Sequence, residues 1–213
     1  MAKRVEGVTE KLLEYAKEEF LAKGYENASL RVIAKRAGSS KGSIYIRYPD
    51  KESLYRAVIQ PVADGFCKMM QAALGKFSVL SSEEQKEQLH YDPKGRVSSI
   101  LNYIYGHFNE FKILFTSGET TIQQDFMHAL VDIDTGTTLR YIEKSGNDAI
   151  SSGRLTTDLV HILSYAFYSG VFEVVIHSMP KEEALKHIMR LSWFYNAGWE
   201  KILNGGGVDW TAG

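Results

Sequence analysis

The chain has 213 residues, 44% of them hydrophobic and 24% charged, with a formal net charge of −1. This is the make-up of an ordinary soluble protein, with apolar material for one large core or two domains. Cys67 is the only cysteine, which excludes an intramolecular disulfide and a fold that needs an oxidising compartment. Among Phe66, Met69 and Met70, Cys67 reads as a small core residue rather than a redox sensor. The first seven residues lack the apolar centre of a signal peptide, and no apolar stretch approaches the roughly 18 residues that span a bilayer. A cytoplasmic chain with no membrane partner is expected. The charge is uneven: residues 1–60 carry 12 Lys+Arg against 8 Asp+Glu, and the remainder 13 against 18. A basic start on an acidic body points to the N-terminus as the part that meets a polyanion.

Helical periodicity runs through the whole chain and no segment reads as a strand. The first helix is expected from about Gly7 to Lys23, with Leu12, Leu13, Ala16 and Phe20 inward and Gly24 ending it. Leu30, Ile33, Ala34 and Ala37 recur at i, i+3, i+4 and i+7, which predicts a second helix with one buried face. Ser29 stands where an N-cap belongs, and Gly38 supplies the left-handed turn after it. A third helix starts near Ser40, burying Ile44 with Tyr48 in the core beneath it. Its outer face carries Ser40, Lys41, Ser43, Tyr45 and Arg47, the hydroxyls and cations that phosphates and base edges require. Two short helices joined by a glycine turn, the second with such a face, read as a helix-turn-helix.

Asp50 caps a fourth helix, with Lys51 and Glu52 in its first turn, expected to run to about Leu74 and to kink at Pro61. Residues 75–95 read as loop, with a short helix started by the capping pattern Ser81-x-x-Glu84. One aromatic-rich helix is expected from Arg96 to about Phe115, broken by Ser117-Gly118, then another from Thr121 to Lys144. Gly146 to Gly153 is a polar loop. Residues 157–177 are apolar nearly all round and must be covered on more than one face. Pro180, Glu182 and Glu183 open the last helix, as the missing proline N–H and the helix dipole favour. That helix carries two stripes: Leu185, Ile188, Ser192, Tyr195, Trp199 and Ile202, and beside it Leu191, Phe194 and Gly198. One can serve the subunit core and the other a partner.

The stretch from Leu12 to Leu54 resembles the DNA-binding domain of the TetR family of bacterial transcriptional regulators. The matching residues are Ala16, Phe20 and Gly24-Tyr25, then Ile33-Ala34 and Ala37-Gly38. They continue through Ser40-Lys41-Gly42, Ile44-Tyr45, Tyr48 and Lys51-Glu52-x-Leu54. Ser39 replaces an apolar residue usual in the family, and Ile46 stands where a polar or aromatic residue is common. The resemblance implies an all-α fold, with a helix-turn-helix domain over residues 1–50 and a ligand-binding and dimerisation bundle over 51–213.

It further implies a ligand-responsive regulator, with repression relieved by ligand as the commoner mode. A homodimer would place two recognition helices, residues 40–46, in successive major grooves of a palindromic double-stranded operator. Carried over position by position, Lys41, Gly42 and Ser43 reach base edges. Tyr45, Arg47, Ser29, Ser39, Ser40 and Lys51 contact phosphates, although capping alone also accounts for Ser29. The dimer surface would come from the last two helices, through Phe172, Val175, Leu191, Phe194, Tyr195 and Gly198. For the unidentified small-molecule effector, Tyr103, His107, Phe111, Phe126, Tyr165 and Tyr168 offer apolar faces with a few polar tips. The i, i+4 pairs Glu173/His177 and His128/Asp132 are two-ligand sets, too few for a metal centre. No cofactor is called for. Nucleophile elbow, phosphate loop, His-Glu-x-x-His and cysteine dyad are all missing from the sequence, which speaks against an enzyme.

Overall fold

The computed structural model describes residues 8–81, 84, 93–118 and 120–205, apart from the side chains of Val8, 77–79, Pro93, Lys94 and Arg96. Among these residues there are nine helices and no strand. They are α1 (Val8–Asn27), α2 (Leu30–Arg36), α3 (Lys41–Arg47), α4 (Lys51–Val79), α5 (Pro93–Gly106), α6 (Phe108–Thr116), α7 (Thr121–Ser145), α8 (Thr157–Ile176) and α9 (Lys181–Asn204). The expected start of the first helix at Gly7 and the residues between Glu84 and Pro93 lie outside the described set. At Ser81 and Glu84 the expected reciprocal cap is present. The Ser81 amide donates to Glu84 Oε2 at 2.7 Å, and the Glu84 amide donates to Ser81 Oγ at 3.2 Å.

The chain forms two compact units. The first holds the described residues of 1–65 and 107–124, and the second those of 66–106 and 125–205. This differs from a division at residue 50, because the first fifteen residues of α4 and all of α6 belong with the helix-turn-helix. The reason lies in α6, which packs against α1. Its Phe111, Ile113 and Leu114 are buried. The aromatic run expected as one helix is two helices, because His107 leaves the helical region (φ −130°, ψ 36°) and caps α6. α4 continues through Pro61 to Val79, beyond the expected Leu74.

In the first unit, α1 buries Leu12, Ala16 and Phe20 against α2, and α2 buries Leu30, Ile33 and Ala34. α1 is not one continuous rod: Gly24 has φ 71° and ψ 172°, a backbone open to glycine and strained for any side chain. That break brings Tyr25 back onto Phe20 (ring centroids 6.3 Å apart) and Tyr55 of α4 (5.0 Å), with Phe20 and Tyr55 edge-on at 5.1 Å. Burial raises the pKa of the Tyr55 phenol, and its hydroxyl donates to the Ile113 carbonyl at 3.3 Å.

In the second unit, α9 packs on α5 and α8. Phe66 sits among Tyr103, Phe126 and Phe172, with ring centroids 5.6, 5.9 and 5.8 Å away. A second cluster joins Ile142, Ala149, Leu155 and Val160 to Trp199, Ile202 and Leu203 of α9. Polar groups close the end of α9: Asn147 Nδ2 donates to the Leu203 carbonyl at 2.9 Å and Arg154 Nε to the Ile202 carbonyl at 3.0 Å. A cation at a helix C-terminus also suits its dipole. Where α8 crosses α9, a Cβ on Gly170 would stand 2.9 Å from Leu191 Cδ2, so glycine lets the helices close there.

Two expectations about α8 are corrected. By length and composition it does reach the membrane-span criterion, with 20 residues and mean hydropathy 1.6. Asp158, His161 and Glu173 interrupt it, but the Val, Ile, Leu and Phe that make up most of its length keep the mean high. Here it is a packed helix, with Val160, Ser164, Tyr168, Val171, Phe172, Val174 and Val175 buried. Phe172 and Val175, expected at a dimer surface, are wholly buried within their own chain and have no surface left for a partner. Phe172→Ala is expected to lower stability by about 3–5 kcal/mol, read as a reduced urea midpoint. An unchanged midpoint contradicts this packing.

Candidate nucleic-acid interface

The helix-turn-helix is built by caps and one turn. After α2, the Ser39 amide donates to the Ala34 carbonyl (2.9 Å) and the Gly38 amide to the Lys35 carbonyl (3.2 Å), with Gly38 at φ 64°. This paired pattern is a Schellman turn, which glycine alone enters without strain. It aims the chain into α3, whose N-cap Ser40 accepts from the Ser43 amide at 3.1 Å. Ser29 caps α2 through the Val32 amide at 3.4 Å. Position 32 lacks the glutamate that would complete a capping box, and Glu19 of α1 supplies it instead. Glu19 is 9% exposed and accepts from the Ser29 amide at 3.1 Å. Sequence reading missed Glu19 because its partner is ten residues away; a carboxylate immediately before inward Phe20 gave no local signal.

The structure thus engages several residues expected to touch phosphates. Ser29 and Ser40 use their hydroxyls as caps. Lys51 Nζ donates to the Glu26 carbonyl at 2.8 Å and lies 5.0 Å from the Tyr25 ring centroid. Asp50 accepts from the Ser53 amide and hydroxyl, both at 2.6 Å, and these bonds hold its carboxyl below the usual carboxylate range. Arg36, on α2, pairs with Glu18 and stacks 4.6 Å from the Tyr15 ring centroid. Ser39 is half-buried and Tyr48 is half-buried rather than core.

On α3 only Ile44 is buried. Exposed Lys41 and Tyr45, and half-buried Ser43 and Arg47, form two side-by-side pairs at i, i+4. Lys41 Nζ lies 5.5 Å from the Tyr45 ring centroid, and Arg47 Nη1 donates to Ser43 Oγ at 2.7 Å and to its carbonyl at 3.1 Å. Between these pairs runs Gly42 with Ile46, directly opposite Ile44 on the helical wheel. Ile46 is 86% exposed. Lys41, Gly42, Ser43, Tyr45 and Arg47 therefore do converge on one short helix, with cations on both flanks of an uncharged ridge.

The residues expected to line an effector site do not form one set. His107 and Phe111 belong to the first unit, and Tyr103, Phe126, Tyr165 and Tyr168 to the second. Phe111 is wholly buried and Phe126 is packed between Phe66 and Phe172. Tyr165 is 46% exposed on the outside of α8. Tyr168 is buried, its hydroxyl donating to Asp134 at 3.3 Å beside Ser164, whose hydroxyl donates to the same carboxylate at 2.7 Å. A cleft of about 430 Å³ in the second unit is lined by Gln71, Gly75, Asp132, Ile133, Thr137 and Arg140, none of them among the expected six. Glu173 and His177 contact each other at 3.0 Å on the surface. Among the described residues no three His, Cys, Asp or Glu gather as a metal site would require.

A short helix that buries one residue, packs on α2 and offers hydroxyls and cations outward completes a helix-turn-helix. Residues 12–58 match the family model of the bacterial regulatory proteins of the tetR family. Over those residues the chain is similar to the N-terminal domain of that family. It is similar to a probable HTH-type transcriptional regulator, YttP, of Bacillus subtilis, 30% identical over 98 residues, which are 46% of this chain and 44% of that protein. The chain matches less than half the length of the curated relatives. The fold is that of a TetR-like transcriptional regulator from Rhodococcus sp. RHA1, with TM-score 0.59 and 22% identity over 90% of this chain and 96% of that one. It is also that of SmeT, the repressor of the Stenotrophomonas maltophilia multidrug efflux pump SmeDEF, with TM-score 0.58 and 17% identity over 91% and 90%.

Removing the Ser40 cap tests the local construction. Ser40→Ala is expected to cost about 1 kcal/mol and Ser40→Gly only a few tenths, measured by chemical unfolding. Equal losses would show that the hydroxyl holds nothing.

Proposed function

We propose that the chain is a transcriptional regulator that binds a palindromic double-stranded operator as a homodimer through α3, acts in the cytoplasm, and changes its operator affinity when a small molecule occupies the second unit. The observation that carries the reading is the outer face of α3, with Lys41–Tyr45 on one flank and Ser43–Arg47 on the other. In this reading Lys41, held on a flank over the Tyr45 ring, meets the phosphates with Tyr45 and Arg47 rather than the base edges expected of it, while Gly42 and Ser43 approach base edges. Exposed residues on the other helices, such as Arg31 and Lys35, add to the positive field.

Dimerisation is supported by an apolar surface on the last two helices. Ile162 and Tyr165 of α8 are 59% and 46% exposed, and Trp193 and Phe194 of α9 are 75% and 68% exposed. Tyr195 lies against Phe167 at 5.2 Å and continues this face, with Gly198 exposed beside it. Four large apolar side chains in water on neighbouring helices are the usual mark of an interface between chains. Leu191 faces Gly170 of its own chain instead. Repression released by a ligand is the reading kept for the sign of regulation; a ligand can shift operator affinity by no more than its differential affinity for two shapes of the protein.

The deciding experiment selects duplexes from random DNA with the purified protein, then titrates the selected sequence against salt. Specific binding should fall steeply with salt. Arg47→Ala and Lys41→Ala should each weaken it about fivefold to tenfold and flatten the salt slope. Failure to bind any duplex at low salt would leave a helical interaction module in place of a regulator. Phe194→Asp should convert a dimer to a monomer by light scattering and weaken operator binding with it. A wild-type monomer at micromolar concentration would remove the dimer from the proposal.

A further inference from the structure

Ile46 is the most exposed large apolar side chain among the described residues, at 86%, and it stands on the helix that the proposed function places in the groove. Its position is set by Ile44. With about 100° between successive residues, burying Ile44 turns Gly42 and Ile46 about 160–200° away, straight outward. The polar residues of α3 are held to the sides by their own contacts. Lys41 lies over the Tyr45 ring, and Arg47 is bonded to Ser43 through both hydroxyl and carbonyl. The part of α3 that projects furthest is therefore a branched aliphatic side chain beside a bare glycine backbone.

We infer that Ile46 determines sequence specificity by packing its side chain on the 5-methyl group of a thymine in the major groove. This rests on the proposed operator binding and deepens it. The groove floor offers donors, acceptors and one apolar feature, the thymine methyl, so an aliphatic group has one base to prefer there. Gly42, one turn earlier, has only its Ser40 Oγ neighbour within 4 Å of a would-be Cβ, at 3.8 Å. It adds no side chain that would hold the ridge away from the bases. Ile46 makes no polar bond with DNA, so its contribution carries no counterion release and does not change with salt. Affinity and discrimination are thereby divided between flanks and ridge.

The test replaces each thymine of the selected operator, one at a time, by deoxyuridine, which removes the methyl and leaves the base-pair edge otherwise intact. Wild-type protein is expected to lose about threefold to fivefold in affinity at one thymine per half-site, the worth of a buried methyl. Ile46→Ala should bind the thymine and uracil duplexes equally, with an unchanged salt slope and an unchanged melting temperature. Ile46→Val, which keeps a branched methyl, should recover part of the preference. Specific binding by wild type that ignores every uracil replacement overturns the methyl contact and leaves the regulator reading standing. A uracil penalty that persists in Ile46→Ala overturns it as well, by assigning the methyl to another residue. Absence of any sequence preference in the selected pool overturns both, the regulator reading first.

Discussion

The cluster of Phe20, Tyr25 and Tyr55 is the constraint on which the first unit depends. Three helical segments meet there: the body of α1, its last turn beyond Gly24, and the start of α4. Tyr55 adds a fourth, because its hydroxyl reaches the Ile113 carbonyl of α6. The glycine break exists so that Tyr25 can turn back, and that in turn places the Glu26 carbonyl under Lys51 Nζ. The whole arrangement fixes the platform under α2 and α3. Short helices of seven residues have little stability of their own, so they hold their shape through packing on such a platform and through caps.

The same economy of polar groups explains the face of α3. Three hydroxyls around the turn have a backbone task or a partner: Ser29 and Ser40 as caps, Ser43 with Arg47. A cation stacked on a ring or bonded one turn back keeps its charge while losing rotamer freedom. Lys41 and Arg47 are therefore partly ordered before any phosphate arrives, and less entropy remains to be lost on contact. Preorganisation of this kind raises the value of a few charges in a unit whose surplus of positive charge is small.

How much of this was legible in the sequence depended on the range of the interaction. The spacing of Leu30, Ile33, Ala34 and Ala37, the caps at Ser29 and Asp50, and the glycine turn are all local patterns, and the structure has them where the residues put them. Glu19 with Ser29 and the Tyr55–Ile113 bond connect residues ten and 58 apart, and no capping or periodicity pattern links such partners. In α8 the reading failed for a different reason. A helix apolar nearly all round carries no stripe to tell core from surface, so Phe172 and Val175 were assigned outward although they are buried, and Tyr165 inward although it is exposed. The break at His107 was hidden likewise, since aromatic residues continue on both sides of it.

An exposed isoleucine on a surface helix is usually of no consequence, since much of any protein surface is apolar. What sets Ile46 apart is its register. One residue earlier or later on α3 it would lie on a flank, among Lys41, Tyr45, Ser43 and Arg47, where its contact with phosphate would gain nothing. At position 46 it faces directly away from Ile44, the residue that anchors α3 to its platform. The burial of one isoleucine and the projection of the other are thus a single geometrical fact. A sequence change that rotated α3 to bury Ile46 would have to expose Ile44 and lose the packing that holds the helix in place. The apolar ridge is consequently as fixed as the core itself, which is what a residue that discriminates bases by a single methyl needs.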